Sequence, residues 1–297
     1  MKASVMAERP SIQISTLKDS PTLKSLEAIE AAKRVVRPAD ERTRKRPRGR
    51  CARHAGYYGY VDAHTDRLAT DLDLVRKYAK PGSAIVEVGS TPPLLTTAMV
   101  DAGYLVTGVD LKPSRFAETI ADVGLDIREC DVEKQPLPFG DDTFDLAVFN
   151  EIFEHLRINL PFTLREVLRV LTPGGVLLLS TPNLRSLLGL FNYLVRGRAY
   201  SCRGDIFRQY EKLQTVGHMG HVREYTVVEV REFLQRVGFN VEETIFRGDY
   251  EQTFYRAAKS DPRFRPYAKA ATVTARIAVY ALPKLRPFMS VVAKKPN

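Results

Sequence analysis

The stretch SAIVEVGSTPP, Ser83 to Pro93, decides how the fold is read. Its first half is apolar at consecutive positions (Ala84, Ile85, Val86, Val88), the pattern of a strand covered on both faces of a parallel sheet. It closes on an acid, Glu87, and a glycine, Gly89, as a strand does where it runs into a nucleotide-binding turn. Pro92 to Ala102 then reads as a helix with Ser90 or Thr91 as its N-cap, proline being tolerated in a first turn.

Outward from this stretch the same alternation recurs. YLVTGVDL (Tyr104 to Leu111) predicts a second strand and Ser114 to Val123 a helix. DIRECDV (Asp126 to Val132), FDLAVFN (Phe144 to Asn150) and GGVLLLSTPN (Gly174 to Asn183) predict three more strands, with a helix over 160–171. Apolar strands alternating with helices imply a doubly wound parallel sheet. Val227 to Phe239 predicts a helix with Val230, Phe233, Leu234 and Val237 on one face. NVEETIF (Asn240 to Phe246) and FMSVVAKK (Phe288 to Lys295) are the last two strands. Between them, Tyr267, Ala270, Val273, Ile277 and Tyr280 line one side of a helix over 265–282, a stripe read first as core packing.

Charge divides the chain differently. The net +10 is spread over 14 Lys/Arg against 6 Asp/Glu in residues 1–55, 11 against 3 in 247–297, and 20 against 26 between. The run ERTRKRPRGR (Glu41 to Arg50) marks residues 1–55 as a basic, disordered arm, leaving 56–297 as the domain. No apolar run reaches the roughly 18 residues of a membrane span, and no leader-type apolar segment opens the chain, so a cytoplasmic protein is expected. Three widely spaced cysteines, without a C-x-x-C pair, argue against a disulfide framework or a zinc site.

The loop after the first strand discriminates between nucleotides. A dinucleotide needs its pyrophosphate held by backbone N–H groups at the helix N-terminus, and Pro92 and Pro93 remove two of them. S-adenosylmethionine (SAM) has no phosphate and escapes this objection. Asp110, at the end of the second strand, would accept both ribose hydroxyls; an NAD site uses an acid at the same place.

The run ECDVEKQPLPFGDDTFDLAVFNEIFEHL (Glu129 to Leu156), followed by LREVLRVLTPGGVLLLSTPN (Leu164 to Asn183), resembles the class I SAM-dependent methyltransferases, in particular the bacterial enzymes acting on small molecules and glycans. The resemblance runs from about Gly59 to Phe246. It implies a seven-stranded Rossmann-like sheet, six strands parallel and one antiparallel, with helical lid insertions at about 184–225 and 248–287. It places Asp131 and the Val132 N–H at the adenine, Glu87 and Gly89 at the methionine end, and Asn150 and Glu151 along the donor pocket. Ser90 and Leu111 complete that set beside Asp110. The family usually carries glycine where Thr91 and Pro93 stand here.

The implied reaction is metal-independent O-methylation of a glycan, lipid-linked sugar or small metabolite. His155 and His221 compete for the role of base, and no metal ligands are assigned. His218 and Arg223 would bind the acceptor, and the aromatic cluster Tyr57, Tyr58 and Tyr60 would close over the donor's sulfonium. Arg196, Arg198, Lys269, Arg276, Lys284 and Arg286 would let the lid rest on an anionic membrane. Alternatives are a non-catalytic module of the same fold and an RNA methyltransferase using the basic ends, though no nucleic-acid motif supports the latter. An NAD oxidoreductase is disfavoured by the two prolines.

Overall fold

The computed structural model describes residues 13–16, 21–36, 55–199, 220–250 and 265–297, with the isolated residues 207, 210, 254 and 263; of 13–16, 55–63 and 265 it gives the backbone alone. Among the described residues eight strands form one sheet: β1 (Gln13–Thr16), β2 (Ala84–Val88), β3 (Leu105–Asp110), β4 (Asp126–Glu129), β5 (Phe144–Asn150), β6 (Leu171–Pro182), β7 (Asn240–Arg247) and β8 (Phe288–Lys294). Their order is β1-β7-β8-β6-β5-β2-β3-β4. Only β8 runs antiparallel to its neighbours, β6 and β7. Without β1, this is the expected sheet of six parallel strands and one antiparallel.

Alternate residues of each central strand enter two separate cores, which explains why the strands are apolar on both faces. Ile85, Leu146, Val148 and Leu178 pack beneath α1 (Leu23–Val35), α2 (Ala55–Tyr78) and α3 (Leu94–Asp101). Val86, Val88, Ala147, Phe149 and Leu179 pack beneath α5 (Leu160–Val170) and α7 (Val227–Val237). The chain winds from β2 out to β4 and then returns to β5 on the other side. Strand order therefore reverses between β2 and β5, and a crevice opens at their carboxyl ends.

Four expectations need correction. Residues 1–55 are not one uniform arm: β1 pairs in parallel with β7, and α1 buries Ile29, Ala32 and Val36 against Leu72, Val75 and Met99. Thr22 caps α1 and both donates to and anchors on Asp73 of α2, at 2.6 and 2.7 Å. Averaging charge over 55 residues hid this helix, because the basic run at 41–50 outweighs an apolar face spaced Leu26, Ile29, Ala32, Val36. That run itself lies outside the described residues.

Neither Ser90 nor Thr91 caps the first helix after β2. The helix α3 starts at Leu94, with Pro93 in the N-cap position and no side-chain cap. Ser90 is buried, its hydroxyl turned back toward the Val109 carbonyl at 3.5 Å, and the Thr91 N–H serves Asp110 instead. The predicted second helix is split into a 3-10 turn, Pro113–Phe116, and α4 (Ala117–Val123).

The stripe on the helix over 265–282 faces outward. In α8 (Arg265–Ala281) the buried residues are Ala275 and Val279, which meet Leu187 and Leu188 of α6 (Leu187–Arg196) together with Tyr250. Tyr267, Val273, Ile277 and Tyr280 are 57–81 % exposed. A periodicity of 3.6 shows that a helix has two faces; it does not show which apolar face finds a partner.

Candidate functional site

The carboxyl ends of β2, β3 and β5 bring most of the expected donor residues to one crevice. Gly89 turns the chain at φ +75°, and an added Cβ would run into Cδ1 of Ile152 from the loop after β5. Two requirements therefore fix this glycine: a left-handed backbone and close approach of the two loops. Its N–H and that of Ser90 donate to the Val109 carbonyl, at 2.8 and 3.2 Å.

Asp110 is 8 % exposed, and its two oxygens accept N–H groups from Thr91 at 3.0 Å and Lys112 at 2.9 Å. The carboxylate thus ties the loop after β2 to the loop after β3. Leu111 follows it, half exposed. Asp131 lies just beyond β4, paired with Lys134 at 2.7 Å. The Val132 carbonyl, beside it, accepts from Thr163 of α5 at 2.8 Å.

Glu87 is buried at the end of β2, with Thr96 of α3 donating to its carboxyl. Burial pushes its pKa up to about 8, only partly offset by that hydrogen bond, and the nearby charges of Asp71 and Asp110 push the same way. Asn150 ends β5. Glu151 follows with φ +55°, accepting from Ser180 Oγ of β6 at 3.1 Å and facing Arg67 of α2 at 3.8 Å. Asp71 of α2 is fully buried and paired with Arg247 of β7 at 2.6 Å, and burial still raises its pKa against the pull of that cation. α2 is thereby fastened across the sheet beside the crevice.

A second group gathers where β5 and β6 end. Glu154, in the 3-10 turn Phe153–His155, is buried; Thr181 donates to Oε2 at 2.9 Å, while Oε1 has no hydrogen-bond partner. Nε2 of His155 and Nε2 of His221 each lie 4.0 Å from that Oε1. The two imidazoles meet edge to face, their centroids 5.0 Å apart. His221 Nδ1 is 2.9 Å from the buried carboxylate of Glu224. Burial and the charge of Glu151 push the Glu154 pKa up to about 8, against the pull of His221. The N–H groups of Val222 and Arg223 donate to the Glu154 carbonyl, at 2.7 and 3.4 Å, and so bring the two segments together.

Both candidate bases therefore stand in one place. Arg223, expected at the acceptor, stacks on Tyr225 and pairs with Glu229 in the first turn of α7. The side chains of Tyr58 and Tyr60, and the whole of His218, lie outside the described residues. Sequence reading missed Glu154, Glu224, Asp71 and Arg247. Asp71 left a signal, since it interrupts the apolar face Leu68, Leu72, Val75 of α2; its partner Arg247, and the Thr181 that meets Glu154, are far off in sequence and left none. Glu154, His155 and His221 form a set of metal-ligating type, in contrast to the expectation of none.

Residues 86–179 match the methyltransferase domain family. An uncharacterised methyltransferase of Mycobacterium marinum is 33 % identical over 129 residues, 42 % of this chain and 50 % of that protein. The ubiquinone biosynthesis O-methyltransferase of Xanthomonas campestris is 34 % identical over 122 residues, 38 % of this chain and 48 % of that one. The chain thus spans about half the length of the curated relatives it matches. Among solved structures, the Burkholderia thailandensis 1,6-didemethyltoxoflavin-N1-methyltransferase, with its substrate and S-adenosylhomocysteine bound, superposes with a TM-score of 0.50 at 16 % identity, covering 82 % of this chain and 85 % of that one. This likeness bears on the fold.

Proposed function

We propose that this chain, which carries a methyltransferase domain of the class I SAM-dependent family, transfers a methyl group from SAM to a hydroxyl of a small metabolite, a lipid-linked sugar or a glycan. The observation that carries the donor assignment is the acid-rich crevice. Glu87 is buried with Asp110 and Asp71 near enough to raise its pKa further, so the crevice favours a cation and repels a diphosphate. SAM brings an ammonium and a sulfonium; NAD brings two phosphates. Glu87 and Gly89 would hold the methionine end, Asp110 the ribose and Asp131 with Val132 the adenine.

For the acceptor, a hydroxyl placed in line with the donor's methyl needs its proton removed as the C–O bond forms. The contact between His155 and His221 supports either as the base that takes that proton, and the O-methyltransferase among the relatives supports a hydroxyl over an amine. The exposed stripe Val273, Ile277 and Tyr280 on α8, with Lys269 and Arg276 on the same face, supports contact with an anionic membrane and hence an acceptor presented there.

The test is calorimetric titration with S-adenosylhomocysteine, with NAD as control. Micromolar binding of the first alone is expected and would license a screen of hydroxylated acceptors with labelled SAM. Binding of neither would favour the non-catalytic module; binding of NAD alone would overturn the donor assignment.

A further inference from the structure

Glu154 Oε1 is a buried carboxylate oxygen without a hydrogen-bond partner among the described residues. An unsatisfied buried acceptor costs roughly 1–3 kcal/mol, so a group that completes it stabilises the fold. What faces it is a pair of imidazole nitrogens, each 4.0 Å away and aimed at the same atom. One ligand atom from each of the three residues lies within 4.8 Å of the others, and three atoms with sides of 4.0, 4.0 and up to 4.8 Å have a centre about 2.5 Å from each. Bonds from zinc to histidine nitrogen or carboxylate oxygen run at about 2.0–2.2 Å, so a contraction of a few tenths of an ångström closes the shell.

The surroundings are those of a ligand set. Thr181 holds the other oxygen of Glu154 and fixes the rotation of the carboxylate. Glu224, itself 1 % exposed, engages Nδ1 of His221 at 2.9 Å. A carboxylate accepts from a protonated Nδ1, which makes Nε2, 4.0 Å from Glu154, the nitrogen suited to ligation, the carboxylate–histidine arrangement that orients metal ligands. The side chains of His155 and His221 remain 23 and 18 % exposed, so a cation can reach the centre from solvent and keep open positions.

We propose that Glu154, His155 and His221 bind one divalent first-row cation, oriented by Thr181 and Glu224, at the end of the sheet where the acceptor approaches. Two imidazoles and one carboxylate with open positions suit zinc and its neighbours rather than calcium. The use of this cation, to hold an acceptor hydroxyl in an open position and lower its pKa so that the metal takes over the part given above to the two histidines as bases, rests on the methyl-transfer reading above; its binding does not.

The experiment uses the full chain without an affinity tag, stripped with chelator and exchanged into metal-free buffer. Co2+ is titrated with visible absorption as readout and Zn2+ by competition, and S-adenosylhomocysteine is titrated in parallel. One equivalent of Co2+ with a d–d band, displaced by Zn2+, is expected. Glu154→Gln and His221→Ala should each weaken Co2+ binding at least 100-fold, and Glu224→Gln about 10- to 100-fold, the loss typical of a partner one shell removed. Circular dichroism checks that the variants fold, and because His155→Ala removes the most exposed of the three ligands, it gives the same test if Glu154→Gln fails to fold. No Co2+ binding by the wild-type chain, or binding unchanged in the folded variants, overturns the proposal. Co2+ binding without S-adenosylhomocysteine binding would sink the methyl-transfer reading and leave the metal site standing; the reverse would sink the metal site alone.

Discussion

Replacing Glu87 with glutamine removes a single titrating group from the base of the crevice and keeps its shape. In the folded chain, burial and the charges of Asp71 and Asp110 push this carboxyl up to about 8 from an ordinary 4.5, against the hydrogen bond from Thr96. The folded state therefore holds a proton that the unfolded state gives up. Stability from this group is fully present below about pH 4.5 and is lost as pH rises through about 8. The two values differ by about 3.5, worth roughly 5 kcal/mol in all at 1.36 kcal/mol per pH unit, of which about 2 kcal/mol is lost between pH 6 and pH 8. Glutamine keeps an oxygen for the Thr96 hydroxyl and has nothing to titrate. Urea denaturation of both proteins at pH 6, 7 and 8 should show the variant gaining on the wild type by about 2 kcal/mol across that range. Parallel profiles, within about 0.5 kcal/mol, would refute the buried neutral acid. The same reasoning makes donor binding proton-linked: an ammonium brought beside Glu87 favours its ionised form, so titration at pH 7 in buffers of different ionisation enthalpy should report close to one proton released.

Asp110→Ala should lower S-adenosylhomocysteine affinity at least 100-fold while leaving the sheet intact by circular dichroism; unchanged affinity would remove the ribose contact from the assignment. Gly89→Ala forces a side chain into a left-handed turn and against Ile152, and should cost roughly 1–3 kcal/mol in urea denaturation, with a cost below 0.5 kcal/mol refuting the tight approach of the two loops. Ile277→Glu alters a side chain that is 65 % exposed, so stability should stay within about 0.5 kcal/mol. Cosedimentation with phosphatidylserine-containing vesicles should fall about 10-fold or more, in line with losing roughly 1.5–3 kcal/mol of apolar burial; equal binding would rule α8 out as the contacting face.

The doubly wound sheet was legible because its strands carry their burial in their composition. Ile85 and Val86 enter different cores, so both must be apolar, and no surface strand imitates that. Turns were legible where one residue type has one use, as with Gly89. The acids Glu87 and Asp110, proposed for the donor, could be placed at the crevice because a strand end is a local position. The sequence pattern therefore determined the central parallel strands and the acids at their ends, while the sheet order and its antiparallel terminal pair were what the family resemblance implied.

What only the tertiary structure decided depends on partners distant in the chain. The apolar face of α1 was visible as a periodicity, but its burial depends on α2 and α3, and a charge count spread over 55 residues pointed the other way. α8 presents the reverse case: its stripe reads as core and lies in solvent, because the face that packs is the small one, Ala275 and Val279. His155 and His221 are 66 positions apart and meet because the Glu154 carbonyl accepts backbone N–H groups from the segment before α7. A sequence states which groups are available to bind a proton, a donor or a cation. Their distances come from chain crossings, set by the summed packing of the whole sheet rather than by any neighbouring residue.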